Sequence, residues 1–105
     1  MQNVSMIYMT APNMNEAKRI SRALVEERLA ACVNIIDNMT SVYWWKGQME
    51  EAIEVAMLAK TQTSKVEALI ARLKGLHPHD APCALSFEIS AGHPDYIEWP
   101  KQETP

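Results

Sequence analysis

The chain predicts an α+β ferredoxin-like sandwich, βαββαβ with a short C-terminal helix and a long central β-hairpin. Three observations carry this reading. Short apolar segments suited to strands alternate with two amphipathic stretches, in the order strand, helix, strand, strand, helix, strand. Lys46-Gly47 can turn the chain between two β-rich runs, since Gly47 tolerates positive φ. Just before that turn stand Tyr43, Trp44 and Trp45. Tandem tryptophans in a strand need protection on both faces, because strand side chains alternate in direction. One ring can enter the subunit core, and the other must find a second surface. A chain of 105 residues has few to offer, so the hairpin is expected to bury one face against another subunit, with Tyr43, Trp44 and Trp45 at the interface.

Each element has its own signal. Residues 4–10 form a short apolar run with Ile7 and Tyr8, which Ala11-Pro12 stops. Asn13 with Glu16 three residues on makes a capping-box pattern, and Ala17, Ile20 and Leu24 follow at helical spacing to an end near Arg28 or Leu29. Residues 30–36 read as the second strand, Asp37-Asn38 as a bend or bulge, and residues 40–45 as its continuation. After the turn, Ile53, Val55, Met57 and Ala59 alternate with Glu54, Ala56, Leu58 and Lys60, with Glu54 marking a wet face and the second half apolar on both faces like a central strand. Ser64 and Glu67 suggest a second capping box before the stripe Val66, Leu69, Ile70, Leu73, Leu76, which Pro78 ends. Residues 84–89 give the last strand. Pro94 and Asp95 open a short helix that Pro100 limits, with Tyr96 and Trp99 on one side and a mobile tail over residues 101–105.

Length makes this a single domain, residues 1–105. Both helices would cover one sheet face, and the other needs cover that self-association supplies. A net charge of -3 with no basic block argues against nucleic-acid binding. Lys18, Arg19, Arg22 and Arg28 are interleaved with Glu16, Glu26 and Glu27 and read as a solvated helix face. No apolar run is long enough to span a membrane, and the first five residues show no secretory pattern. With Cys32 and Cys83 the only cysteines, a cytoplasmic protein with reduced thiols is expected.

Several stretches together resemble the CutA divalent-cation tolerance family. They are Thr10-Ala11-Pro12, Glu27-Arg28-Leu29-Ala30-Ala31-Cys32-Val33-Asn34, Ser41-Val42-Tyr43-Trp44-Trp45-Lys46-Gly47, Leu58-Ala59-Lys60-Thr61, Leu76-His77-Pro78 and Pro94-Asp95-Tyr96-Ile97-Glu98-Trp99. The resemblance covers nearly the whole chain. It implies a tight homotrimer, a likeness to PII-type signalling proteins that bind small ligands between subunits, and a link to copper and other divalent cations. The chain departs from the family pattern where His79 takes a tyrosine position, Cys83 a glutamate position and Met9 a cysteine position.

The best metal candidate is the cluster His77, His79 and Cys83. Imidazole suits copper and zinc, and thiolate suits cuprous ion. In an extended segment the two histidines would point the same way, and Cys83 could close a third position if the loop folds back. The competing reading is a polar loop in which His77 caps a helix end. Cys32 is the less favoured ligand: it reads as a buried small residue unless three copies meet at a symmetry axis. His93 reads as a turn or helix N-terminal residue, and Met6, Met9, Met14, Met39, Met49 and Met57 as core filler. No enzyme is expected. The glycines are too scattered for a phosphate loop, no Gly-x-Ser-x-Gly elbow exists, and Glu50 and Glu51 look like a charged edge that discourages aggregation. Function is therefore expected to be copper or other divalent-cation tolerance by metal binding. The alternative is a small-ligand sensor or a trimeric scaffold that regulates a partner protein.

Overall fold

Strand β1 (Val4–Ala11) divides its side chains between two faces. Ser5, Ile7, Met9 and Ala11 are buried on one, while Met6, Tyr8 and Thr10 lie half-buried on the other. The computed structural model describes residues 2–105; Met1, where the segment read for a leader begins, lies outside them. Helix α1 (Met14–Glu26) starts as its sequence predicts, with the Asn13 side chain accepting from the Glu16 backbone N–H at 2.9 Å. The Glu16 carboxylate does not return to the cap. It turns forward to Arg19, 2.6 Å away. Ala17, Ile20, Ser21 and Leu24 face the sheet, and the helix ends slightly earlier than expected, ahead of Arg28 at φ 60°.

Strands β2 (Cys32–Trp45) and β3 (Gln48–Gln62) form a long hairpin. Lys46 and Gly47 both take positive φ, 49° and 78°, the two-residue turn whose twist suits paired strands. Its register shifts between Ile36 and Met39, where Asn38 sits at φ 58°, so the bulge expected at Asp37-Asn38 is present. A 3-10 turn (Thr63–Lys65) leads into helix α2 (Val66–Leu76). No side chain caps this entry, so Ser64 does not make the capping box read from the sequence. The stripe itself is correct, with Leu69 and Leu73 fully buried. Strand β4 (Ala84–Glu88) and helix α3 (Pro94–Glu103) complete the chain.

The sheet is antiparallel throughout in the order β2-β3-β1-β4, the arrangement of a ferredoxin-like sandwich, with β3 central as its apolar second half predicts. Helices α1 and α2 cover one face, around Ile7, Met9, Ile20, Leu24, Val55, Met57, Leu69 and Leu73. Helix α3 crosses one end of the other face, beside Val4, Met6 and Lys60. That face is thus partly covered from within the subunit.

Further sequence expectations need correction. Pro100 does not limit α3, which continues to Glu103. The lost helical N–H is offset by packing, since Pro100 and Thr104 are both buried. Residues 101–105 are accordingly no free tail. The Thr104 hydroxyl donates to the Pro100 carbonyl at 2.6 Å and accepts from the Gln62 N–H at 3.3 Å, and the Gln62 side-chain amide donates to the Thr104 carbonyl. Neither Trp44 nor Trp45 enters the subunit core, because the end of the hairpin runs beyond the helices. Met49, opposite Trp44, is likewise exposed rather than core filler.

Replacing Thr104 by Val removes the hydroxyl at constant volume and leaves the Gln62 N–H poorly satisfied. The expected loss is about 1–2 kcal/mol in chemical denaturation. An unchanged midpoint would show that the docked C-terminal turn contributes nothing.

Candidate functional site

The segment 77–83 joins α2 to β4, and His77 is its anchor. The His77 backbone N–H donates to the Leu73 carbonyl at 2.8 Å and closes the helix. Its ring, 9% exposed, places Nε2 2.8 Å from the Thr10 carbonyl and Nδ1 3.1 Å from the His79 backbone nitrogen. A carbonyl can only accept and an amide N–H can only donate. Nε2 is therefore the protonated nitrogen and Nδ1 the acceptor, which makes His77 neutral with both nitrogens engaged. Arg19 donates to the neighbouring Leu76 carbonyl at 2.6 Å. The capping role weighed for His77 is the one it fills, and its ring would have to release a partner before it could ligate a metal.

His79 does lie against His77, with ring centroids 5.0 Å apart, and its side chain is exposed. Cys83 is turned elsewhere. It stands next to β4, half-buried, on the sheet face away from α1 and α2, and shares a neighbourhood with Tyr8 and Glu54. Burial pushes its thiol above the ordinary range, and the negative charge of Glu54 adds to the shift. The Tyr8 phenol is raised for the same reasons, burial first and then Cys83 and Glu54, and its hydroxyl donates to the Met39 sulfur at 3.4 Å. Among the described residues, no three His, Cys, Asp or Glu side chains gather closely enough to hold a metal ion. Within one subunit the structure thus brings His77 and His79 together and leaves Cys83 apart.

Cys32 opens β2 on the same sheet face as Cys83. It is half-buried, 4.0 Å from the Tyr96 hydroxyl, and pairs across the strands with Lys60. Lys60 donates to the Asn34 side-chain oxygen at 2.5 Å and lies 5.8 Å from the centre of the Tyr96 ring. His93 is the N-cap of α3, its Nδ1 accepting from the Asp95 N–H at 3.2 Å, as a helix-start residue should. The sequence placed none of Asn34, Lys60, Tyr8, Met39 or Glu54 in a candidate site. The available signal was register: counting back from the Lys46-Gly47 turn through the bulge sets Cys32 opposite Lys60 and Asn34 opposite Leu58.

The hairpin end carries the expected interface residues, all exposed: Tyr43 40%, Trp44 75% and Trp45 57%. Trp44 faces Met49, and Val42 and Ile53 lie on the same face; Tyr43 and Trp45 occupy the reverse one, paired with Glu50 and Gln48. The wet face assigned through Glu54 is also inverted, since Ile53 is exposed while Glu54 is half-buried. A groove of about 380 Å³ runs between α1 and β2, lined by exposed Val25, half-buried Val33 and Ile35, and Lys18 and Arg22.

Residues 5–103 match the family described as CutA1 divalent ion tolerance protein. Protein CutA of Mus musculus is 45% identical over 97% of this chain and 58% of its own length. The chain thus spans somewhat under two thirds of that relative. Divalent-cation tolerance protein CutA of Thermus thermophilus is 41% identical over 93% of this chain and 95% of its own length. The crystal structure of CutA from Xylella fastidiosa superposes with a TM-score of 0.95 at 41% identity, covering 98% of this chain and 99% of that one.

The raised Cys83 thiol means less thiolate at pH 8 than an unperturbed cysteine has. Alkylation of Cys83 by iodoacetamide should be slower than that of free cysteine, and Glu54→Gln, which removes the repelling charge, should accelerate it. Equal rates for all three would contradict the assigned neighbourhood.

Proposed function

The chain belongs to the CutA1 divalent ion tolerance family, and from that premise we propose that it serves divalent-cation tolerance, copper above all, by binding metal as a homotrimer without catalysing a reaction. The observation that carries the assembly is the hairpin end, apolar and exposed on both faces. A monomer rarely leaves contiguous aromatic and aliphatic surface in water. The α1/β2 groove is its natural receptor: Val25, Val33 and Ile35 match Trp44 and Met49, and Lys18 and Arg22 match Glu50 and Glu51 in charge. Contact between two different patches is heterologous, and such contacts close into rings when the rotation permits.

For the metal, the free donors are the exposed His79 imidazole and the Cys83 thiol. Imidazole and thiolate suit copper, the thiolate cuprous ion in particular. His77 then acts by orienting the loop, and the ligands missing from one subunit come from another. Binding at Cys83 displaces a thiol proton held more tightly than usual, so affinity should rise with pH. We place the protein in the cytoplasm, on the strength of its two unpaired cysteines.

Equilibrium dialysis of reduced, tag-free protein against Cu(I), Cu(II) and Zn(II) tests the metal reading. Integral stoichiometry is expected, lost in His79→Ala and Cys83→Ala. Weak, non-stoichiometric uptake that ignores both changes would remove this loop from consideration. Light scattering tests the assembly: a trimer is expected, and Trp44→Ala or Trp45→Ala should each weaken it by a few kcal/mol. Unaltered mass and melting in both variants would refute the arm-in-groove contact.

A further inference from the structure

Three segments distant in sequence meet at one corner of the sheet. Cys32 and Asn34 come from β2, Lys60 from β3, and Tyr96 and Trp99 from α3. All five lie in stretches by which the chain resembles its family, yet neither the fold nor the metal loop uses them together. Lys60 is the one cation of the group: it is half-buried and, like Lys18, Arg22, Lys46, Lys65 and Lys74, forms no ion pair among the described residues. Its ammonium has three N–H donors and gives one to the neutral Asn34 amide oxygen. The Tyr96 ring face supports the charge without neutralising it.

Lys60 also lines a cavity of about 220 Å³ beneath α3, whose other walls include Val4, Met6, Ile97 and Pro100. Gly92 is also in the wall, where a Cβ would meet the Ile97 Cδ1 at 2.9 Å, so Ile97 packs directly over its backbone. Tyr96 is part of the wall too, and the Trp99 ring lies 5.8 Å from the Tyr96 ring.

We propose that this corner binds a small carboxylate with an apolar body. The hydrocarbon part occupies the cavity, and the carboxylate meets the Lys60 ammonium with the Tyr96 hydroxyl as second donor. One unpaired cation suits a monoanion. A phosphate would bring more charge than a single ammonium answers and nothing to fill an apolar floor, and a cation would be repelled by Lys60. The site is independent of the metal reading, because it needs neither the 77–83 loop nor a bound ion.

NMR titration of the metal-free protein, in the presence of a chelator, follows the Tyr96 and Trp99 ring signals with butyrate and phenylacetate as probes and butyramide as the uncharged match. Saturable shifts are expected for both carboxylates. Binding should be at least about tenfold weaker for butyramide and for the carboxylates in Lys60→Met, with a smaller loss in Tyr96→Phe. Failure of both carboxylates to saturate at millimolar concentration would overturn the proposal. Butyramide binding the unaltered protein as well as butyrate does would overturn it too, and that comparison needs no variant to fold.

Discussion

The register of the β2–β3 hairpin is the constraint on which the rest of the structure depends. The turn at Lys46-Gly47 starts the pairing with Trp45 opposite Gln48, and the bulge at Asn38 then shifts it by one residue. Because side chains alternate strictly, that single shift decides the face of everything before it. With the bulge, Cys32 faces Lys60 and Asn34 faces Leu58. Without it, Cys32 would oppose Thr61 and turn toward the helices, taking Asn34 and Ile36 with it. Val33 and Ile35, which pack against the core from the helix side, would leave it. Core composition and candidate chemistry are thus set by one residue with positive φ.

The two sheet faces have different duties. The face under α1 and α2 is an ordinary apolar core, and Ile7, Met9 and Met57 are wholly buried there. The other face collects the chain's distinctive side chains in two groups: Tyr8, Met39, Glu54 and Cys83 toward one end, and Cys32, Asn34, Lys60 and Tyr96 at the other. His77 ties the two layers together. Its backbone closes α2, its Nε2 holds the Thr10 carbonyl on β1, and its Nδ1 holds the amide of His79. A residue first considered as a ligand therefore earns its place as a joint.

Much of the fold was legible because local chemistry and tertiary structure agree. Asn13 caps α1, Lys46-Gly47 turns the hairpin, Asp37-Asn38 bulges, Leu69 and Leu73 bury, and Pro94 opens α3. The misread elements are those where a distant partner overrides a local rule. Pro100 continues its helix because Thr104 and Gln62 bind the last turn. Trp44, Met49 and Ile53 look like core residues because they are apolar, yet a single subunit has no layer above them. In the candidate site, the nearness of His77 and His79 followed from their spacing. The separation of Cys83 did not, since it depends on where β1 places Tyr8 and β3 places Glu54. Lys60 and Cys32 lie 28 positions apart in sequence, and only the paired register brings them face to face.

The hairpin also has a kinetic consequence. Its ladder closes through a two-residue turn, whereas β1 must find β3 and β4 from the far end of the chain. Local pairings form with the least entropy cost, so the hairpin is the segment best placed to organise early during folding. At that stage Trp44, Trp45, Met49 and Ile53 have no covering surface, and such edges recruit one another into disordered aggregates. Lys46, Glu50 and Glu51 stand around that apolar tip. Charges in that position act as gatekeepers, and here they would discourage nascent chains from sticking together before each has a completed sheet to offer its neighbours.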